Sequence, residues 1–207
     1  MDSLLLAERR IGEESSLLAV VCDGVGSMAD GAYASRESVR LLNEWFLGIT
    51  STERAGLCLR SEVFSINAMI AATATEKGMK TATTLSALLL VDRQYYIVHA
   101  GDSRIYAVGN AGLLPLTVDD VSESGKLTSA IGRRENPDLQ YTEGLAQSDV
   151  FMLCSDGLYK RIGDDFSFKN IDASNRRTLR KSLQKLSNIA IERGERDNIS
   201  IAIVKIK

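Results

Sequence analysis

The sequence LLAVVCDGVGS at residues 17–27 is a short apolar run that ends abruptly in a carboxylate and two glycines. The β-branched pair Val20 and Val21, followed by turn-forming residues, predicts a buried strand rather than a helix. Asp23 would then lie where this strand ends. A carboxylate on a rigid strand end, beside glycines that let a ligand approach the backbone, is suited to holding a cation.

Two other stretches repeat this arrangement. The sequence DVFMLCSDG at residues 149–157 is again an apolar strand that ends in Asp-Gly, at Asp156. Residues 196–198, RDN, place Asp197 just before the final predicted strand, residues 199–204. A single Asp-Gly pair is usually a turn. Three strand-end aspartates from distant parts of the chain indicate instead a shared site.

Length and composition favour one domain over residues 1–207. The chain has 207 residues and 44% hydrophobic content, enough to bury one substantial core. A net charge of -2 offers no basic face to nucleic acid or to anionic lipid. No apolar run approaches the ~18 residues of a membrane span, and the first residues lack a secretion signal. We therefore expect neither nucleic acid nor a membrane as a partner.

The cysteines and the histidine narrow the compartment and the choice of metal. Cys22, Cys58 and Cys154 are an odd set in apolar or helical surroundings, without the spacing of metal ligands. They are typical of reduced thiols, so we expect a cytoplasmic protein. The single histidine, His99, argues against histidine-rich zinc chemistry. Since His99 lies in an apolar strand, a hydrogen-bonded structural role is the first interpretation and general acid the second.

The order of predicted elements indicates an α+β protein. Strands at 3–7 and 17–22 form an antiparallel pair, followed by a helix over 31–47 and a second helix capped at 51–53. In the second helix, the apolar residues that recur at helical spacing and form one face are Leu59, Val63, Ile66 and Ile70. Short links then predict a meander of four antiparallel strands. Its members are residues 83–91, 95–99, 104–108 and 113–116.

The end of the chain completes this pattern. After the strand at 149–154, Ser174 is predicted to cap a helix that runs to Arg193 and ends at Gly194. The strand at 199–204 follows. Strands and helices come in blocks and do not alternate, which favours antiparallel sheets with segregated helices over a doubly wound fold.

Five motifs occur in a fixed order along nearly the whole chain. They are CDGVGS at 22–27, HAGDSR at 99–104, LT at 116–117 with LTSAIG at 127–132, SDGL at 155–158, and RDN at 196–198. In this order the chain resembles the metal-dependent PPM (type 2C) protein serine/threonine phosphatases, especially the short bacterial ones. The resemblance implies a four-layer αββα sandwich, with two antiparallel sheets between outer helices.

The resemblance also implies an activity and a set of ligands. The reaction would be hydrolysis of phosphoserine or phosphothreonine on proteins, opposing a kinase, by a water that bridges two Mn²⁺ or Mg²⁺ ions. Asp23 would bridge these ions, and Asp156 and Asp197 would complete the first. The Gly24 carbonyl would bind the second ion. Asp102 would bind a third, weaker ion shared with Asp156.

The residue chemistry agrees with this assignment on separate grounds. Oxygen ligands suit Mg²⁺ or Mn²⁺ better than zinc. Crowded aspartates raise one another's pKa values unless a cation neutralises them, so the site should depend on metal and be less stable without it.

The family pattern breaks in several places. Family members carry an arginine strand and an Asn-Glu-Asp or Asn-Gln-Asp group before the first Asp-Gly strand. Here Asp2 matches the last residue of that group, and the arginine has no counterpart. Three explanations follow: an upstream segment exists, the substrate is held loosely, or the chain is a metal-binding pseudophosphatase that acts as a regulatory partner. Residues 121–126 are barely a turn where relatives insert a lid, so lid-based substrate selection should be weak.

Other residues admit a second interpretation. Residues 24–29, GVGSMA, also fit a relaxed dinucleotide fingerprint, although the acidic Glu44 lies inside a helix and the chain is not βαβ. Val25 stands where some family members have histidine, which leaves protonation of the leaving group to metal-bound or free water. Arg104 is expected to pair with a carboxylate or support the Asp102 turn rather than contact phosphate.

Overall fold

The computed structural model describes residues 1–26, 28, 30–109, 112–163, 171–172 and 174–206. Within these ranges the strands are β1 (Asp2–Ile11), β2 (Glu14–Asp23), β3 (Leu85–Val91), β4 (Gln94–Ala100), β5 (Arg104–Gly109), β6 (Gly112–Pro115), β7 (Gln140–Leu145), β8 (Val150–Cys154) and β9 (Ile201–Lys205). The helices are α1 (Gly31–Gly48), α2 (Ala55–Lys77), α3 (Asp156–Ile162) and α4 (Arg176–Glu192).

The strands form two antiparallel sheets. The first has the order β1-β2-β3-β4-β7, and the second has the order β6-β5-β8-β9. Helices α1 and α2 cover the first sheet, and α3 and α4 pack with the second. The α+β sandwich of two antiparallel sheets between helices is confirmed.

Strand β2 shows how the layers are made. Val20 and Cys22 pack in the apolar cluster beneath α1 and α2, whereas Ala19 and Val21 pack in the cluster between the sheets. Alternate side chains of a strand point to opposite faces, so a strand covered on both faces is apolar at every position. This is why residues 17–22 form a continuous apolar run instead of an alternating one.

Helix α2 lies on the first sheet through the predicted face. Leu59, Val63, Ile66 and Ile70 are at most 1% exposed and belong to the cluster beneath the two helices. By length and composition alone, α2 is also apolar enough to cross a membrane. The packing of its buried face against the sheet is that of a core helix.

The predicted four-stranded meander is wrong at its centre. Strands β3 and β4 pair, but β4 continues to β7 in the first sheet whereas β5 pairs with β6 and β8 in the second. The link crosses between the sheets at Gly101, whose φ of 109° suits glycine. Short links favour neighbouring strands, but this one turns a corner of the sandwich.

Two predicted caps are also displaced. Helix α2 begins after Arg54, whose φ is 56°, while Ser51 accepts a bond from Glu53 N in a local turn. Helix α4 begins after Asn175 instead of Ser174, and Asn175 forms a capping box with Thr178.

Two elements were not predicted. Strand β7 is an edge strand with mostly polar residues, and its periodicity is therefore weak. Helix α3 starts at Asp156 directly after β8, where the Asp-Gly sequence indicated only a turn. Because α3 carries two groups of the site described below, this omission affects the functional analysis.

Leu59→Ala should lower the free energy of unfolding by about 2–5 kcal/mol, because it removes buried methyl groups and leaves a cavity. Leu57→Ala is the matched control in the same helix, since Leu57 is 45% exposed. It should change stability by less than about 0.5 kcal/mol. Urea unfolding followed by circular dichroism measures both variants. Equal losses would contradict the packing of α2 on the first sheet.

Candidate active site

Asp23 ends β2, and its backbone is fixed from the neighbouring strand. Asp23 N donates to Thr84 Oγ1 at 2.9 Å, and Thr84 N donates to the Asp23 carbonyl at 2.9 Å. Thr84 Oγ1 also lies 2.7 Å from Ser103 Oγ in the link between the sheets. The position of Asp23 is therefore coupled to the segment that carries Asp102.

Asp2 lies opposite Asp23 in the register of the first hairpin. The Asp2 side chain is 5% exposed, and neither of its oxygens has a hydrogen-bond partner in the part of the chain that the structure describes. The pKa of Asp23 is raised to about 9. Burial is the largest cause, followed by the charges of Asp2 and Asp156. Carboxyl groups crowded in this way favour a bound cation.

Asp2 was not among the predicted ligands, although the sequence contains a signal for it. The hairpin turns at residues 12–13, so Ile11 pairs with Glu14. Each residue further back along β1 pairs with the residue equally far forward along β2. Counting back along the two strands pairs Asp2 with Asp23.

Gly24 is required by a close approach of two backbone segments. A Cβ atom at this position would lie 2.6 Å from the Gly31 carbonyl oxygen, well inside van der Waals contact. The loop after β2 therefore folds back directly onto the first residue of α1. The Gly24 carbonyl accepts a bond from Met1 N at 3.3 Å.

Asp102 and Asp156 meet across a lysine. Asp102 lies in the link after β4, Asp156 opens α3, and the Lys160 ammonium donates to both. Lys160 Nζ is 2.9 Å from Asp102 Oδ2 and 2.5 Å from Asp156 Oδ2. Burial raises the pKa of the Asp102 carboxyl, and the hydrogen bond and charge of Lys160 oppose this shift. Lys160 was missed because α3 was not predicted, although an Asp-x-x-x-Lys spacing on a helix brings both side chains together.

Arg104 and Tyr159 brace the Asp102 turn. Arg104 donates to both carboxylate oxygens of Asp119, at 2.8 and 2.7 Å. Its guanidinium carbon is 3.5 Å from the ring centroid of Tyr159, and the Tyr159 hydroxyl donates to the Asp102 carbonyl at 2.8 Å. The predicted pairing of Arg104 with a carboxylate is observed, and it holds the guanidinium in one orientation.

The segment that follows Asp119 is short and is hydrogen-bonded to Gly101. Asp120 N donates to the Gly101 carbonyl at 2.7 Å, and Gly101 N donates to Asp120 Oδ2 at 2.9 Å. Val121 and Leu127 then form a β-bridge around a tight turn. Residues 121–126, predicted to be barely a turn, are thus a short turn beside the Asp102 link.

Asp197 lies in the loop that leads into β9, against the first turn of α3. A Cβ atom on Gly157 would lie 2.3 Å from the Asn198 carbonyl oxygen, so only glycine permits this approach. Asp197 Oδ1 accepts a bond from Asn198 N at 2.8 Å. The structure therefore brings Asn198, the neighbour of Asp197, against Gly157, the neighbour of Asp156, while the hydrogen bond described for the Asp197 carboxylate is local.

Among residues 1–26, 28, 30–109, 112–163, 171–172 and 174–206, no three acidic, histidine or cysteine side chains meet closely enough to hold a metal ion. The donor chemistry still fits a hard divalent cation, because the available donors are oxygens. Asp2 is buried without a hydrogen-bond partner among the described residues, and burial and the charge of Asp2 raise the pKa of Asp23. The Met1 ammonium, 4.0 Å from Asp2 Oδ1 and 3.8 Å from Asp23 Oδ1, opposes this shift in part. Metal binding by the predicted ligands stays a prediction.

His99 is fully buried and bonded at both ring nitrogens. Nε2 lies 3.1 Å from the Val118 carbonyl oxygen and Nδ1 lies 2.9 Å from Ser86 Oγ. A carbonyl oxygen can only accept, so Nε2 carries the proton. Burial lowers the pKa of His99, although the charge of Asp120 opposes this. These contacts agree with the structural interpretation and not with a general acid.

Residues 4–199 match the family model described as Protein phosphatase 2C. The chain belongs to the protein phosphatase 2C family. The resemblance carried by the five motifs is therefore confirmed, and the chain is placed among the protein phosphatases. The antiparallel sheets exclude the dinucleotide-binding interpretation of residues 24–29, which requires a parallel βαβ unit.

Several proteins named as serine/threonine phosphatases are similar to this chain. A Listeria welshimeri protein named serine/threonine phosphatase stp is 28% identical over 220 residues, covering 93% of this chain and 86% of the relative. Mycobacterium tuberculosis serine/threonine protein phosphatase PstP is 25% identical over 214 residues, covering 91% of this chain but only 40% of the relative. The crystal structure of Stp1 from Staphylococcus aureus has a TM-score of 0.87 at 20% identity, covering 100% of this chain and 89% of that one. At that identity the structural likeness shows the fold alone.

Gly157→Ala should destabilise this type 2C chain by about 1–3 kcal/mol, because the new methyl group collides with the backbone of the loop that carries Asp197. Gly48→Ala is the control, since a Cβ atom at Gly48 meets nothing within 4 Å. It should leave stability unchanged or slightly higher. Urea denaturation measures both variants. A neutral Gly157→Ala would contradict the close approach between α3 and the loop.

The lowered pKa of His99 sets a pH dependence. Below about pH 6.5 the unfolded chain binds a proton at this residue and the folded chain does not. The free energy of unfolding therefore decreases as the pH is lowered. The slope from this residue is at most about 1.4 kcal/mol per pH unit. His99→Gln should remove that part of the slope between about pH 5 and 7. Urea unfolding of both proteins across this range tests it, and parallel slopes would contradict the buried neutral imidazole.

Proposed function

We propose that this chain is a protein serine/threonine phosphatase that hydrolyses phosphoserine and phosphothreonine with two Mn²⁺ or Mg²⁺ ions. The observation that carries the proposal is that Asp102 and Asp156, from separate segments, share one ammonium, and that the charge of Asp156 also acts on Asp23. Buried Asp2 adds a fourth carboxylate beside Asp23. Membership of the protein phosphatase 2C family supports the reaction class.

The residues that would hold the ions follow from the motifs. Asp23, Asp156, Asp197 and the Gly24 carbonyl would bind the two ions, and Asp102 would bind a third, weaker one. When bound, the ions would neutralise the phosphate and lower the pKa of the attacking water.

The chain contributes rigid placement of these groups. Thr84 fixes the Asp23 backbone by two hydrogen bonds, and Gly157 keeps the first turn of α3 against the loop of Asp197. Groups held in place before the substrate binds avoid the entropic cost of ordering them during the reaction.

The cysteines support attack by water over attack by a thiolate. Cys22 precedes Asp23 and Cys154 ends β8, but both are fully buried. Burial raises the pKa of Cys154 to about 12 and shifts that of Cys22 still higher. A buried protonated thiol is a poor nucleophile, so a phosphocysteine route is disfavoured.

Substrates and location are proposed on the same basis. The names of the Listeria and Mycobacterium relatives support phosphorylated proteins as the substrates. A kinase would catalyse the opposing phosphorylation of these substrates. Cys22, Cys58 and Cys154 carry free thiols, which supports a cytoplasmic location in a bacterial cell.

A regulatory pseudophosphatase is the second candidate, and one observation favours it. The Lys160 ammonium lies between Asp102 and Asp156, where the motifs would place a metal ion. A site that already holds a cation of its own can lose catalytic metals and still bind a partner through the same surface.

Asp156→Asn should reduce Mn²⁺-dependent release of phosphate from a phosphothreonine peptide by at least about 100-fold, since the loss of a carboxylate charge weakens metal binding. Steady-state assays with purified protein and p-nitrophenyl phosphate as a second substrate measure this loss. Chelation of the metal should abolish the activity of the unchanged chain.

Asp149→Asn is the matched control. Asp149 precedes β8 at the opposite end of the strand from Asp156, is 62% exposed and pairs with Arg93. Its replacement should leave the rate within about twofold. No phosphate release by the unchanged chain with Mn²⁺ would reject the phosphatase and favour the regulatory candidate.

A further inference from the structure

Lys160 is a positive charge built into the candidate site. Its ammonium donates to Asp102 and Asp156, two carboxylates from segments that are distant in sequence. The side chain of Asp102 is 8% exposed and that of Asp156 is 20% exposed, whereas Lys160 is 50% exposed. A surface lysine therefore reaches inward to a largely buried acidic pair.

The position of Lys160 is determined by the packing of α3. Leu158 and Ile162 are buried in the cluster beneath the second sheet, so the opposite side of this short helix faces Asp102. The Tyr159 hydroxyl ties the same helix to the Asp102 carbonyl at 2.8 Å. The helix and the Asp102 link are thus joined by the Tyr159 and Lys160 hydrogen bonds, and the lysine lies within reach of both carboxylates.

We infer that Lys160 is an internal counter-ion that competes with divalent metal for Asp102 and Asp156. An ammonium and a divalent cation repel each other, so both cannot be held between the same two carboxylates without a large loss of affinity. The lysine is covalently attached to the helix that carries Asp156, which gives it a high effective concentration at this place. Lys160 would therefore suppress the third, weaker ion that the sequence motifs predict at Asp102.

The inference deepens the proposed function, because it concerns how many ions the same site binds. It does not require that the chain be catalytically active. Each of the two carboxylates offers one oxygen to Lys160 and keeps its other oxygen, so Asp156 can still serve a metal on its other side. Lys160 is a positioning residue for the acidic pair and determines its metal affinity.

Lys160→Met tests this inference, since methionine keeps an unbranched chain and removes the charge. Binding of Mn²⁺ alone is measured by electron paramagnetic resonance of the free ion and by isothermal titration, without substrate. The weakest Mn²⁺ site of Lys160→Met should bind at least about tenfold more tightly than that of the unchanged chain, since the repulsion is strong even at an effective dielectric constant of about 20. Lys160→Arg, which keeps the charge, should behave like the unchanged chain.

Two further variants assign the effect. Lys181→Met removes an exposed lysine from α4 and should leave Mn²⁺ binding unchanged. Asp102→Asn combined with Lys160→Met should abolish the tighter site. Circular dichroism checks folding, and Lys160→Gln replaces Lys160→Met with the same expectation if the methionine variant does not fold.

The inference is overturned if Lys160→Met and the unchanged chain bind Mn²⁺ equally, or if the tighter site survives Asp102→Asn. These outcomes differ from a failure of the proposed function. An unchanged chain that binds Mn²⁺ but releases no phosphate would reject the phosphatase and leave the role of Lys160 intact.

Discussion

The mutual repulsion of carboxylates at one end of the sandwich is the constraint on which the site depends. Four of them, from the first hairpin, the link between the sheets and α3, lie close enough to influence one another's charge. The repulsion is offset in different ways in the two sheets. Asp2 and Asp23 on the first sheet share a buried position without a donor to Asp2, while Asp102 and Asp156 share the ammonium of Lys160. The Met1 ammonium lies 4.0 Å from Asp2 Oδ1 and 3.8 Å from Asp23 Oδ1, beyond hydrogen-bond distance, so the first pair is less closely compensated than the second.

Backbone contacts make this crowding possible. Gly24 allows the end of β2 to touch the first residue of α1, and Gly157 allows α3 to touch the loop before β9. At both places a side chain would separate the segments that carry acidic groups. Thr84 then binds both backbone polar groups of Asp23 and connects them to the link that carries Asp102. The charges are fixed by hydrogen-bonded backbone, so repulsion cannot simply move them apart.

The parts of the fold that could be predicted are those with a local cause. The apolar run of β2 and the face of α2 formed by Leu59, Val63, Ile66 and Ile70 follow from periodicity. The crossing between sheets at Gly101 could not be predicted in this way, because a short link between strands usually joins neighbours in one sheet. Helix α3 was not predicted, because its first residues, Asp156 and Gly157, are also typical of a turn.

In the site, as in the fold, the residues that could be predicted belong to local motifs, and the residue that was missed depends on contacts between distant segments. The motifs identified Asp23, Asp102, Asp156 and Asp197 as candidate ligands. In the structure Asp102 and Asp156 share the Lys160 ammonium, and the charge of Asp156 also acts on Asp23. Lys160 was missed because its role depends on α3 and on the packing of that helix against the Asp102 link.

Strand β2 explains why such a cluster is tolerated by the fold. The strand is buried on both faces, pairs with β1 and β3, and ends in the acidic group. A strand packed on both faces loses much apolar contact if its end moves, so the core opposes the charge repulsion that acts on Asp23. The same packing excludes water from the carboxylates, which strengthens their repulsion and equally strengthens their attraction for a cation. Burial therefore both creates the electrostatic cost of this site and makes a positive charge effective there.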